Sequence, residues 1–493
     1  MLALDVGTSS VRALLVSPAS GRVLFRVRAE AGRDGFARVD ADTLWADVVR
    51  VLDAAEARLA ALDAAPLGCG VSVFWHSALL ADRDGRPLGP VHLWSDTDPR
   101  FARSAADLRA RVDAERTRLA AGAPIHPSFP AGKALALLAD AGSAGRGRVR
   151  LLGFEDLLAL RLFGRLEKSL SMASATGLWD GARGDWHAAV LDALGLSPTA
   201  LAAVETETGE PRLLAGEARR RWPRLARAPW RLPRGDGALS NAGLHASGDV
   251  AGLTVGTSSA LRLLDRPLPA GGVLPRALFR YLLDPGRPVV GGALSQGGNL
   301  IAHIAALAGV RPAAVDAEAA APPLGAHGVV VMPGLWGERS PDWPDSGCGG
   351  VVGLRADTPP AAIVRAAMDS VGAGLAAVAD ALDEAYGRPF VRRVRAGGRA
   401  LARSTALAQV AADAIGLPLD VALGAEESSA LGAAALAAAG DGGMALAPAR
   451  AVATFEPRAG GREAYRALGR RLAALRAVAQ AEDEAGEVAG RAR

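Results

Sequence analysis

VGTSSVRALLV (Val6–Val16) is echoed by VGTSSALRLL (Val255–Leu264), once at the start of the chain and once near its middle. Each copy is an apolar run, a turn of small residues and a second apolar run, and self-similarity at half-chain spacing predicts two related halves. No helical period follows the first copy, so it reads as a β-hairpin, Leu2–Val6 and Val11–Val16, with Gly21–Val27 as a third strand. A helix near Asp42–Leu62 and a strand near Gly70–Trp75 follow, and an Arg-, Pro- and Ala-rich stretch from about Gly184 to Arg234 leads toward the second half. Past the second copy, Ile363, Val364, Ala367, Met368, Val371, Leu375, Val378 and Leu382 share one face of a long helix. Asp357 or Thr358 is placed to cap it, Pro359 and Pro360 open it, and Gly387 and Pro389 end it. A strand (Val391–Ala396), the pair Gly397-Gly398, a helix (Ser404–Ile415), a strand (Leu419–Leu423) and an Ala-rich helix (Glu427–Ala439) complete the pattern. Strands alternating with helices predict an α/β fold. The closing AEDEAGEVAGRAR reads as frayed or disordered.

Composition sets outer limits. At roughly 100–200 residues per domain, 493 residues predict two to four domains. With 50% hydrophobic and 22% charged residues, the chain can bury cores of its own, which excludes a mainly disordered protein. Glycine is abundant without a three-residue period, so collagen is excluded too. Cys69 and Cys348 can build neither a disulfide framework nor a metal site, which fits a reducing interior. Asp5 falls where a secretory signal would need an apolar run, and no later stretch reads as membrane-spanning; a cytoplasmic, soluble protein is expected. The net charge of +4 is small and the basic residues are scattered, so neither nucleic acid nor membrane is an expected partner. Arginine replaces lysine almost everywhere; only Lys133 and Lys168 are lysines.

Several familiar motifs fail on context. Gly132-Lys133 lacks the upstream glycine and following hydroxyl of a phosphate-binding P-loop. GAGLAA (Gly372–Ala377) lies inside the long helix instead of after a strand, and no paired-cysteine or HExxH pattern points to zinc. The turn Gly7-Thr8-Ser9-Ser10 is more informative. Small residues let backbone N–H groups approach an anion, and the hydroxyls add donors. Asp5, at the end of the strand feeding the turn, could hold a metal directly or through water. One such turn is also an ordinary hairpin, but two of them facing each other could grip a polyphosphate across a cleft. GDGALSNAG (Gly235–Gly243) precedes the second turn. Asp236 would then sit near the cleft floor, where a carboxylate could take the proton of a hydroxyl attacking a γ-phosphate.

The segments LALDVGTSSVRALL, GDGALSNAG, LTVGTSSALR, PGLWGERSPDW (Pro333–Trp343) and AGGRALARSTALAQVAADAIGLPL followed by EESSALGAAAL together resemble the FGGY carbohydrate kinases of the actin and hexokinase superfamily. The likeness covers roughly residues 1–440. It implies two ribonuclease-H-like domains flanking a catalytic cleft, 1–238 on the sugar side and 239–440 on the nucleotide side, with 441–493 as a C-terminal extension. It also implies ATP and Mg2+ as cofactors, Asp236 as the catalytic base and Asp5 as the magnesium-organising residue. Thr8, Ser9, Gly256 and Thr257 would meet phosphates, Gly297 the ribose or phosphates, and Gly397 and Gly398 the adenosine. A sugar or sugar acid is the implied partner, and a homodimer is compatible with the resemblance.

Within that family, GAPIHPSFPAGK (Gly122–Lys133) and FWHSALLADRDGRPLGPVHLWSD (Phe74–Asp96) are similar to the gluconate kinases. His76, Asp96 and His126 then correspond to sugar-side contacts, with a satisfied core histidine and a turn aspartate as the plainer alternatives for the first two. A carboxylate on the acceptor calls for a cation, and Lys133 and Arg339 are the candidates; Lys133 reads equally as a solvated helix residue. Phe129, Asp98, Ser169 and His245 depart from the family pattern. The resulting expectation is transfer of the γ-phosphate of MgATP to D-gluconate. A xylulose-type ketose or another polyol is the alternative acceptor. A nucleotide- and sugar-binding sensor without turnover, or an actin-like assembly protein, would be a different class.

Overall fold

A computed structural model gives the fold and describes all residues except 31–36, 143–145, 206–209, 312–313, 315, 317–324, 326, 423–424, 439–450 and 492–493. The first motif forms the hairpin Leu2–Val6 and Ser10–Val16, with Val23–Glu30 antiparallel to its second arm. The two hairpin arms are buried almost throughout, as expected where both sheet faces are covered, whereas Val23–Glu30 at the sheet edge alternates exposed with half-buried or buried residues. Asp40 caps the helix Ala41–Ala61 through Thr43 N, and this helix carries the chain over to Cys69–Val73, which lies parallel to Leu2–Val6. Arg234–Gly235 adds a further parallel strand.

The second half repeats this plan. Val250–Val255 and Ser259–Leu264 form the hairpin, and Arg287–Leu294 pairs antiparallel with its second arm. Arg393–Gly397 lies parallel to the first arm and Leu419–Ala422 parallel to that. Each sheet therefore contains the same five-strand core in the order third, second, first, fourth, fifth. Phe279–Asp284 and Ala451–Phe455 extend the second sheet at its two edges. Each lobe therefore has the ribonuclease-H-like plan that the resemblance implied.

The helix Pro360–Tyr386 fills the core of the second lobe, where Val364, Ala367, Met368, Val371, Leu375, Val378 and Leu382 are buried. Leu375→Ala would cost about 2–5 kcal/mol there. Its N-cap is Pro359, without a side-chain capping bond, so neither Asp357 nor Thr358 caps it: Pro at the first turn already fixes φ and needs no N–H partner. By length and apolar content this helix passes as a membrane span, contrary to the sequence reading, yet 72% of its most apolar window is buried within the fold. The expected strand end Leu423 and helix end Ala439 lie outside the described residues. The closing segment is not frayed: one helix, Gly461–Arg491, runs nearly to the terminus. Its first turns are anchored, with Tyr465 hydrogen-bonded to buried Asp369 (3.0 Å) and Arg462 and Arg466 on Asp380, and no proline interrupts the rest. The stretch from Gly184 to Arg234 carries its own packing, with Trp222 and Trp230 fully buried.

Two short helices cross between the sheets. Asp236–Gly243 packs on Ser428–Ala438, so closely that a Cβ on Gly432 would strike the Leu239 backbone and one on Gly243 the Ser428 carbonyl. The small residues of GALSNAG and SSALGAAAL are what this crossing requires. Residue 238 falls inside the first of these helices, and Ala451–Phe455 continues the second sheet past residue 440.

Candidate active site

The turns of the two hairpins open into one cavity of about 700 Å³ between the lobes. Gly7, Thr8 and Ser9 line it from one side and Gly256, Thr257 and Ser258 from the other. Each turn is closed by its own backbone, Gly7 N donating to Ser10 O and Gly256 N to Ser258 O, both at 3.0 Å. Nothing lies within 4 Å of where a Gly256 Cβ would stand, so the backbone there is open to a close-approaching ligand. Gly398 also lines the cavity. Its φ of +99° and its contact with the Val255 backbone leave no room for a side chain. Gly397 ends the preceding strand, and Gly297 is the N-cap before the lining residues Gly298 and Asn299; neither faces the cavity directly. Ile301, Met368 and Leu407 supply an apolar wall beyond Gly398.

Asp5 is buried at the end of the first strand and faces Arg12 across the hairpin, 3.9 Å from its guanidinium. Asp236 opens the crossing helix and is not in a turn. The glycines on either side of it have a packing reason: a Cβ on Gly235 would enter the Trp75 indole, and one on Gly237 would lie 2.8 Å from the Arg262 guanidinium carbon. Asp236 accepts from Gly237 N (2.7 Å). Burial pushes its carboxyl up to about 6; Arg262 opposes that rise, and the charge of Asp5 adds to it. Both carboxylates line the same cavity.

Behind Asp236 lies a cluster of buried polar side chains. His76 has φ +68° and donates from Nδ1 to Ala175 O (2.8 Å). Burial and then Arg339 hold its pKa down to about 3, so the ring is neutral and Nε2 is an acceptor. Lys133 is fully buried rather than solvated; it donates to Pro127 O and sits 5.2 Å from the Phe101 ring centre. Burial lowers its pKa to about 7, against a modest pull from Asp96. Arg339 donates to Leu294 O (2.7 Å) and lies over Trp94 at 4.3 Å. Burial brings it down to about 10. Its Nε, the Tyr281 hydroxyl, and Nε and Nη1 of Arg262 are buried with no hydrogen-bond partner among the described residues.

The other two expected sugar contacts are occupied by the protein itself. Asp96 accepts from Arg38 Nε (2.8 Å), His92 Nδ1 (2.7 Å) and Asp98 N (3.2 Å). Burial alone would raise its carboxyl, but these bonds hold it at about 2. His126 donates to Pro344 O (2.8 Å) and accepts from Ser128 N (3.1 Å), so both ring nitrogens are used. The departures from the family pattern have local partners too: Asp98 caps the helix Pro99–Arg111, and Ser169 donates to Pro233 O (2.5 Å).

Sequence reasoning passed over Arg262, Tyr281, Trp75, whose ring meets Tyr281, and Trp94, which lies under Arg339. The signal for Arg262 was within reach, since it is the one charged residue in an otherwise apolar strand, Ser259–Leu264.

Residues 1–212 match the N-terminal domain model of the FGGY family of carbohydrate kinases, and residues 251–440 match the C-terminal one. A gluconokinase of Bacillus licheniformis is 27% identical over 437 residues, spanning 84% of this chain and 82% of the relative. A xylulose kinase of Streptomyces rubiginosus is 29% identical over 446 residues, 86% and 85% of the two chains. The crystal structure of gluconate kinase from Lactobacillus acidophilus superposes with a TM-score of 0.81 at 23% identity, covering 97% of each chain.

Proposed function

We propose D-gluconate as the acceptor of this enzyme, starting from its family: the chain belongs to the FGGY family of carbohydrate kinases and is an ATP-dependent sugar kinase. That class leaves no place for a sensor without turnover or for an actin-like filament protein. The observation that carries the choice of gluconate is a charge surplus beside Asp236. Arg339 is buried and Arg262 half-buried with its Nε and Nη1 enclosed; they lie near each other, and Asp236 is the one carboxylate acting on both. Two guanidinium groups, one buried and one half-buried, against one carboxylate favour an anionic acceptor over a neutral one. The gluconokinase relative supports the same reading.

In the proposed reaction Thr8, Ser9, Gly256 and Thr257 hold the phosphates, and Gly398 lets the nucleotide pass close to the backbone. Asp236 takes the proton of the 6-hydroxyl as it attacks the γ-phosphate in line. Closure of the lobes excludes water, which would otherwise take the phosphate. Asp5 and Asp236 suit a magnesium ion, which binds through one or two carboxylates and completes its shell with phosphate oxygens and water. No cluster of three or more protein ligands exists among the described residues, and none is needed for that arrangement. When bound, the ion would neutralise charge on the phosphates.

The second reading is a neutral ketose, favoured by the xylulose kinase relative over a comparable span. ADP release measured with MgATP and D-gluconate, D-xylulose, D-ribulose, glycerol or no acceptor separates the two. Gluconate is expected to give the highest kcat/KM. A higher value on any neutral acceptor overturns the assignment while keeping the enzyme class.

A further inference from the structure

Among the cations beside Asp236, half-buried Arg262 alone lines the cavity and carries two enclosed nitrogens, Nε and Nη1, with no partner among the described residues. Lys133 spends its ammonium on Pro127 O and the Phe101 face. Arg339 spends one nitrogen on Leu294 O and lies over the Trp94 ring, 4.3 Å from its centre. A buried guanidinium nitrogen left without a partner is costly, and native folds leave few of them without a reason. The chain also makes room for Arg262 deliberately. Its guanidinium rests on Gly237, and a Cβ on Gly291 in the neighbouring strand would come within 2.8 Å of its Cα. Asn241, on the helix that starts with Asp236, donates to the Arg262 carbonyl (3.1 Å) and ties this strand to the catalytic helix. Arg262 therefore sits at a fixed place relative to Asp236, with donors free to receive an oxyanion.

We infer that Arg262 reads the carboxylate of the acceptor, with the Arg339 Nε and the Tyr281 hydroxyl completing the pocket. The inference rests on the gluconate reading above and assigns the residue that enforces it. Lys133 is thereby reassigned to packing the wall of the site. A planar guanidinium can hold both oxygens of a carboxylate, which an ammonium or a neutral amide cannot reproduce.

The test compares D-gluconate with D-glucitol, which carries the same hydroxyls and a CH2OH in place of the carboxylate. Dissociation constants for both are read from tryptophan fluorescence in wild type, Arg262→Gln and Arg262→Lys, alongside kcat/KM on gluconate. A charge-assisted hydrogen bond lost from the complex predicts that the preference for gluconate over glucitol falls by about 10- to 100-fold in Arg262→Gln. Arg262→Lys is expected to recover part of it. A parallel loss of both ligands overturns the inference, because it assigns Arg262 to the fold or to the transfer step; so does an unchanged preference. Should Arg262→Gln fail to fold, Arg262→Lys decides alone, since a reader of carboxylate geometry must lose preference even with its charge kept. A wild type that turns over neutral acceptors and ignores gluconate would instead sink the gluconate reading itself, a result visible before any variant is made.

Discussion

Replacing Asp236 by asparagine keeps the side-chain shape and removes the charge, so it separates chemistry from folding. As the base, Asp236 must be ionised, and its loss should lower kcat by about 10²–10⁴ while ATP affinity stays close to wild type. The stability effect has the opposite sign. Burial raises the Asp236 carboxyl from the ordinary 3.8 to about 6, which at ~1.4 kcal/mol per pH unit corresponds to at most ~3 kcal/mol. Between those two values the folded protein holds the proton and the unfolded chain does not, so stability falls as pH rises through that window. Above it, the enclosed carboxylate costs the fold that amount. Asp236→Asn carries no such cost and is expected to melt at higher temperature than wild type at neutral pH, the advantage vanishing near pH 4 where both side chains are neutral. Thermal midpoints across pH, ADP release and ATP titration measure all three quantities. Turnover within about tenfold of wild type would refute the role of Asp236 as base. Lost ATP binding would move it to the nucleotide site, and a lower melting temperature at neutral pH would refute the burial argument.

Three further outcomes are expected. In wild type, kcat/KM should fall on the acid side with a midpoint near pH 6, following Asp236; Asp5→Asn removes a neighbouring negative charge, so that limb should move to lower pH while turnover drops about 10²-fold and the magnesium requirement rises. A limb that moves upward instead would contradict the coupling of the two carboxylates. Gly398→Ala forces a side chain into a left-handed conformation against the Val255 backbone and should cost about 1–3 kcal/mol, seen as a lower melting temperature together with weaker ATP binding. Lys133→Met should stabilise the protein by about 1–4 kcal/mol below pH 7. The buried ammonium loses its proton near pH 7 in the fold and near 10.5 when unfolded, so wild-type stability rises with pH across that window and the gain from methionine shrinks. A large rise in the KM for gluconate in this variant would return Lys133 to the sugar site.

Much of the fold could be read from the chain because its signals are local. The two VGTSS turns between apolar runs became two hairpins, the face of Val364, Val371, Leu375 and Leu382 became a core helix, and strand ends came within about three residues, the third strand running to Glu30 where Val27 was expected. Asp5 and the two small-residue turns do line one cavity, since each is fixed by its own hairpin. Other features depended on contacts distant in sequence. His126 and Asp96 look like free ligands in the chain, yet Pro344 and Arg38 use up their polar atoms. Lys133 looks like a surface lysine, yet it is buried.

The clearest case is Arg262. Matching the two copies of the motif residue by residue pairs Arg12 with Leu261, because each is six positions past the leading valine. The hairpins differ by one residue in their turns, however: Val6 faces Val11, whereas Val255 faces Ser259. Side chains alternate along a strand, so one residue fewer in the turn exchanges the faces of everything after it. Leu261 goes into the core, and Arg262 goes to the cavity beside Asp236. The repeated sequence determined that the chain would make two hairpins with small-residue turns. That Arg262, and not Leu261, reaches the cavity beside Asp236 was decided by the register of strand pairing, and that exists only once the second lobe has folded around it.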